Sequence, residues 1–314
     1  MGLDGRALAV LHKLEDTLAV FEVATGREVF RVPTARFPHE MCLSPDRRRL
    51  FVSEYGLRGV ESEGEGGRTI GIFDVRGRAR AGEIGLDGYR RPHGIVAHES
   101  GRLLVTCERQ NALLVFRLED GARLHAVDVG QDLPHIVSVS PDGATAVTAN
   151  IGTGTLTAVD LARGVPLRNV RVLERPEGIA FSPDGRLLYV VNRESDAIAV
   201  VETGRFEMVG RIATGRGPVR VAITPDGGRV GFPLFFGDAV QIADTETRQV
   251  VHTIPVGRQP AGTTMSRDGE LLYVSCEMDR RVYVVSVAEG RVLATIATGE
   301  GPDAMVSLDL DEVA

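Results

Sequence analysis

Tryptophan is absent from this 314-residue chain, lysine occurs once and cysteine three times. Cys42, Cys107 and Cys276 are an odd number at wide spacing, which excludes a disulfide framework and a Cys-x-x-Cys metal site and fits a reducing compartment. Lys13 is the only lysine among 36 basic residues, a bias expected of GC-rich coding and assigned no mechanistic meaning. A basic field is missing too: the net charge of -7 leaves no electrostatic footprint for nucleic acid or anionic lipid. No apolar run reaches the roughly 18 residues of a membrane span, and "MGLDGRALAVLHKLED" lacks the basic-then-apolar order of a secretory signal. The expectation is a soluble cytoplasmic protein. Motifs for nucleotide binding, serine hydrolysis, HExxH zinc and EF-hand calcium are absent in their required contexts.

What is present is glycine, 37 residues, with 15 prolines, a balance that favours tight turns over long helices. It is organised as a repeat. Seven copies align on a proline: "PHEMCLSPD" at Pro38, "PHGIVAHES" at Pro92, "PHIVSVSPD" at Pro134, "PEGIAFSPD" at Pro176, "PVRVAITPD" at Pro218, "PAGTTMSRD" at Pro260 and "PDAMVSLDL" at Pro302. The first step is 54 residues and the other five are 42. A fixed period near 40 residues, with turn signals between short β-patterned runs, predicts a β-propeller with one four-stranded blade per repeat. Within the fourth copy, "GIAFS", "LLYVVN", "AIAVVET" and "MVGRIATG" read as strands A to D between turns such as "PDGR". The last copy holds only strand A, and "RALAVLH", "DTLAVFEV" and "REVFRV" supply strands B to D from the N-terminus. The chain is thus read as one all-β, seven-bladed propeller domain over residues 1–314, its last blade closed by both ends and leaving no open sheet edge. The long first step places an insertion, "YGLRGVESEGEGGRT" (55–69), between strands B and C of the first blade: a tolerated surface loop or a lid.

The units "SPDGRLLYVVNRESDAIAVVETG" and "SRDGELLYVSCEMDRRVYVVSVAEG" resemble the YVTN-repeat seven-bladed propellers over essentially the whole chain, and "LPHIVSVSPDGATAVTANIGTGTL" is similar to a segment of lactonase-like propellers. The resemblance implies the fold. For function it implies only a range that includes binding proteins, lactonases, lyases and cyclases.

In a propeller, strand A lines the central channel, so the residue after each anchor proline forms a ring at one mouth: His39, His93, His135, Glu177, Val219, Ala261 and Asp303. Three histidines on adjacent blades followed by a glutamate suggest ligands for one divalent transition metal, Fe, Zn, Mn or Cu, with open positions facing an apolar wall of Val219, Leu234, Phe235, Phe236 and Ala261. The competing reading is a polar mouth whose histidines were copied with the blades. A second ring is drawn through the last residue of each strand B: His12, Glu54, Cys107, Asn150, Asn192, Leu234 and Cys276. Glu54 is expected to bind the metal or orient a ligating histidine, Asn150 and Asn192 to close turns, and Cys107 and Cys276 to pack. His12, in the same blade as Asp303, is the candidate general acid or base, and Arg220 the candidate for holding a carboxylate, enolate or oxyanion. His98, His125 and His252 fall outside both rings.

These expectations favour a metal-dependent enzyme acting on a small, partly apolar molecule with a carbonyl or hydroxyl, of hydrolase or lyase type. The alternatives are a metal-dependent oxidative enzyme, a propeller that presents its face to a peptide or protein, and a metal-binding protein without turnover.

Overall fold

The computed structural model describes residues 2–313 and shows seven four-stranded antiparallel sheets arranged as blades in a ring. Blade 1 contains Pro38–Leu43, Arg49–Glu54, Thr69–Asp74 and Ala79–Gly85, and the pattern recurs to blade 6, Pro260–Met265 to Arg291–Ala297. Blade 7 is the shared one: Pro302–Asp309 pairs with Arg6–His12, and Thr17–Glu22 and Glu28–Pro33 complete it. Among the described residues helix is confined to three short 3-10 turns, at Glu108–Gln110, Glu277–Asp279 and Leu310–Glu312.

Strand periodicity explains the core. On strand B of blade 3, Ala146 packs against blade 2 while its neighbours Val147 and Ala149 pack against blade 4, because successive side chains leave opposite faces of a sheet. Inner strands are therefore apolar on both faces. The result is seven apolar clusters, one at each blade–blade interface. The outermost strands alternate instead, as in Glu207–Ala213, where one face meets water.

The Pro-His pattern has a backbone cause. The residue before every anchor proline is left-handed: Phe37, Arg91, Leu133, Arg175, Gly217, Gln259 and Gly301. In six blades its carbonyl accepts the N–H of the residue just beyond strand B, as in Glu108 to Arg91 (3.1 Å) and Phe235 to Gly217 (2.8 Å). Just after the proline, the A–B register shifts, leaving residues such as His135, Glu177 and Asp303 outside the ladder. A bulge of this kind re-aims a side chain, and here it aims each one at the channel mouth. Blade 5 departs furthest, with strand A reduced to Ala222–Ile223 and one isolated bridge between Pro218 and Leu234.

The next position alternates around the channel. Gly94, Gly178 and Gly262 occupy blades 2, 4 and 6, whereas Glu40, Ile136, Arg220 and Ala304 occupy the odd blades. A Cβ on Gly94 would stand 2.6 Å from the carbonyl oxygen of His135, and one on Gly262 2.0 Å from that of Asp303. Glycine lets the neighbouring inner strand approach, and the intervening side chains line a cavity of about 170 Å³ inside the channel.

Candidate metal centre at the channel mouth

A cavity of about 440 Å³ opens at the mouth, and all seven residues of the first ring line it. His39, His93 and His135 form a row on blades 1 to 3, with ring centroids 5.2 Å apart for the first pair and 3.7 Å for the second. His135 Nδ1 donates to Glu108 Oε1 at 2.7 Å, and the Tyr55 hydroxyl donates to the other oxygen of Glu108 at 2.5 Å. The carboxylate thus fixes the orientation of the His135 ring and, in the neutral imidazole, the tautomer that presents Nε2 as the free acceptor. His39 Nδ1 donates to the Phe37 carbonyl at 3.1 Å, an orientation of the same sense. His93 Nδ1 is buried with no hydrogen-bond partner among the described residues.

His93, Glu108 and His135 each offer a donor atom within 4.8 Å of the others, a group suited to a metal ion. Burial holds His39 at a pKa of about 3 and pushes His93 well below the usual imidazole value, helped by the neighbouring positive charges. Neutral imidazole is the form that ligates, so His39 and His93 are ready to ligate at neutral pH.

The second ring is displaced by one residue. Strand-end residues turn into the blade interfaces, and the residues after them, Lys13, Arg193, Phe235 and Glu277, line the cavity, while Tyr55 and Glu108 sit behind the histidines. His12 is therefore not at the mouth. It is fully buried, Nδ1 donating to Thr17 Oγ1 (3.0 Å) and Nε2 accepting the Gly299 N–H (3.1 Å), with its pKa lowered to about 4 by burial and by Arg31. Glu54 accepts from Arg80, from Thr69 Oγ1 (2.7 Å) and from the Ala35 N–H (2.9 Å), and orients no histidine; that part falls to Glu108. Cys107 packs in the apolar cluster between blades 1 and 2, where burial raises its thiol pKa. Asn150 is tied to Thr148, Thr155 and Thr157, and Asn192 to the Val190 carbonyl, within their own blades. Leu234 belongs to the cluster between blades 4 and 5 rather than to the pocket. The dipeptide Cys-Glu at both 107–108 and 276–277 was the available signal for Glu108 and Glu277.

Other first-ring residues carry partners that limit their roles. Glu177 is held by Arg175 (2.7 Å) and Arg193 (3.0 Å), and these cations and His135 keep its carboxyl below its ordinary value although burial opposes them. Glu177 is thus engaged by guanidinium groups, and Glu108 takes its place in the histidine group. Arg220 is half-buried and ion-paired with Glu40 across the channel, lining both the mouth and the inner cavity. Asp303 binds Lys13 at 3.1 Å. Val219, Phe235, Phe236 and Ala261 form the apolar wall, and Arg193 lies 4.8 Å from both phenylalanine ring centroids.

The segment inserted in blade 1 folds over this mouth. Arg58, Gly59, Val60, Glu61 and Ser62 line the cavity. The Arg91 guanidinium clasps the segment through the carbonyls of Val60 (3.5 Å), Ser62 (3.1 Å) and Gly64 (2.8 Å), and Glu61 reaches Arg175 on blade 4 at 3.5 Å. No helix among the described residues is long and apolar enough to cross a membrane.

No family model matches the chain. Antigen Lp49 of Leptospira interrogans serogroup Icterohaemorrhagiae serovar copenhageni (strain Fiocruz L1-130) is 22% identical over 161 residues, 51% of this chain and 34% of that protein. The chain thus spans about a third of the length of the curated relative it matches. Among solved structures, Kuenenia stuttgartiensis hydrazine synthase is similar with a TM-score of 0.73 and 19% identity, over 85% of this chain and 88% of that one. A functionally unknown protein from Desulfotomaculum acetoxidans DSM 771 is similar with a TM-score of 0.80 and 12% identity, over 98% and 99%. At these identities the likeness to the solved structures shows the fold alone.

Proposed function

We propose that this propeller is a metal-dependent enzyme that acts at the channel mouth on a small, partly apolar molecule bearing a carbonyl or hydroxyl, by hydrolysis or elimination. One observation carries the reading: a row of buried histidines, one of them oriented by Glu108, opens on a cavity whose far side is Val219, Phe235, Phe236 and Ala261. His39, His93 and His135 are the ligands, with Glu108 either completing the set or holding His135 in place. A divalent ion there supplies polarisation of a carbonyl or acidification of a bound water. The phenylalanine wall packs the apolar part of the molecule, and the segment 58–62 narrows the entrance against water. A metal-free alternative rests on the same contact: His135 backed by Glu108 has the arrangement of a general base.

The test is elemental analysis of untagged protein beside His93→Ala and Glu108→Gln. The expected result is near-stoichiometric Fe, Zn, Mn or Cu in the parent, none in His93→Ala, and metal affinity weakened roughly 10- to 100-fold in Glu108→Gln. A parent protein that stays metal-free after reconstitution overturns the metal reading and leaves the His135–Glu108 base.

A further inference from the structure

The one lysine of the chain stands in this cavity. Every other basic residue is arginine, yet at position 13, just beyond strand B of blade 7, the wall carries a primary ammonium. Lys13 Nζ donates to Glu277 Oε1 at 2.6 Å and to Asp303 Oδ2 at 3.1 Å. An ammonium has three donors, and the third has no acceptor among the described residues. Because the side chain lines the cavity, that donor is available to whatever occupies it. Arginine is no substitute here: its planar fork spreads five donors over a wide frame, whereas one ammonium nitrogen meets two carboxylates and keeps a hydrogen to spare. The charge balance also selects. The Lys13 charge is already matched by Glu277 and Asp303, and Arg220, which also acts on both carboxylates, is paired with Glu40, so this corner holds no unpaired cation to draw an anionic ligand and keeps a charge-assisted donor for a neutral oxygen.

We infer that Lys13 is a specificity-determining residue of the mouth, donating its remaining N–H to an uncharged carbonyl or hydroxyl oxygen and thereby selecting neutral over carboxylate-bearing molecules. The inference rests on reading the mouth as a small-molecule site, but not on the metal.

Being the sole lysine makes it testable with one signal. Protein labelled with 15Nζ-lysine gives a single ammonium resonance, assigned by its loss in Lys13→Arg. The probes are phenylacetone and 2-phenylethanol, neutral aryl molecules matched to the Phe235–Phe236 wall, and phenylacetate as the anionic counterpart. The expected result is a saturable shift with the neutral probes and binding of phenylacetate weaker by tenfold or more. Lys13→Arg is expected to keep its fold, by thermal unfolding, and to lose neutral-probe binding at least tenfold by calorimetry. If that variant fails to fold, Lys13→Met combined with Glu277→Gln and Asp303→Asn, which removes all three charges together, serves in its place. A resonance unmoved by all three probes, or a tighter fit for phenylacetate, overturns the inference. Metal content measured on the same sample separates the two readings: metal present with an unmoved Lys13 removes only this one, and metal absent with a shifted Lys13 removes only the other.

Discussion

His12 shows how a single nitrogen decides a role. Its Nε2 accepts the Gly299 N–H, so protonation destroys a buried hydrogen bond, and burial, with Arg31 after it, holds its pKa at about 4. Between pH 6.5 and 4 the unfolded chain takes up a proton that the folded chain refuses, so stability falls as the pH falls, by up to about 3 kcal/mol from this group. Urea unfolding at pH 7 and pH 4.5 should show a smaller loss for His12→Asn than for the parent; equal losses would mean that His12 contributes nothing to acid sensitivity. The same residue marks where sequence reading stopped. The ring after the prolines was legible, and all seven of its members line the cavity, because proline marks each strand start. The ring at the ends of the strands was misplaced by one position, and a slip of one exchanges the two faces of a strand. Tyr55, Glu108, Arg193, Glu277 and Lys13 were lost to that slip, while Leu234 and His12 were gained in error.

Among the elements, strands and turns were readable from alternation and from Ser-Pro-Asp signals, whose Ser44, Ser140 and Ser182 hydroxyls bond Asp46, Asp142 and Asp184 in the turns. The left-handed residue before each proline was not, since Phe37, Arg91, Leu133, Arg175 and Gln259 range over aromatic, cationic, aliphatic and amide side chains and only Gly217 and Gly301 are glycine. Nor did composition alone say that the glycine-rich insertion lies over the mouth. What holds it there is the Arg91 guanidinium, at 2.8 to 3.5 Å from three carbonyls of the segment. Because Arg91 has φ 55, glycine suits its backbone, and Arg91→Gly removes the clasp without straining the turn. Tryptic cleavage after Arg58 should then be faster by roughly tenfold, the equivalent of one charged hydrogen-bond system lost. An unchanged cleavage rate would show that the segment is held by something other than Arg91.

For the ring as a body, closure by pairing the chain's two ends was legible from the incomplete seventh copy, and the sheet of Pro302–Asp309 with Arg6–His12 shows it. The tie is reinforced by Arg47 to Glu312 and by Arg78 to the Val313 carbonyl at 2.7 Å. Removing residues 302–313 opens a sheet edge and strips Ala304, Leu308 and Val313 from the cluster between blades 7 and 1. Scanning calorimetry of that truncation should lack the single cooperative transition of the parent; a retained transition at the parental temperature would show that the ring does not depend on its seam. The channel wall carries a further consequence, one of parity. Glycine and a larger residue take turns from blade to blade, and two alternating kinds can tile a closed circle without fault only when the count is even. Seven is odd, so one pair of like neighbours is compulsory. It falls at Ala304 beside Glu40, where the last repeat meets the first, and no choice of side chains could remove it without adding or losing a blade.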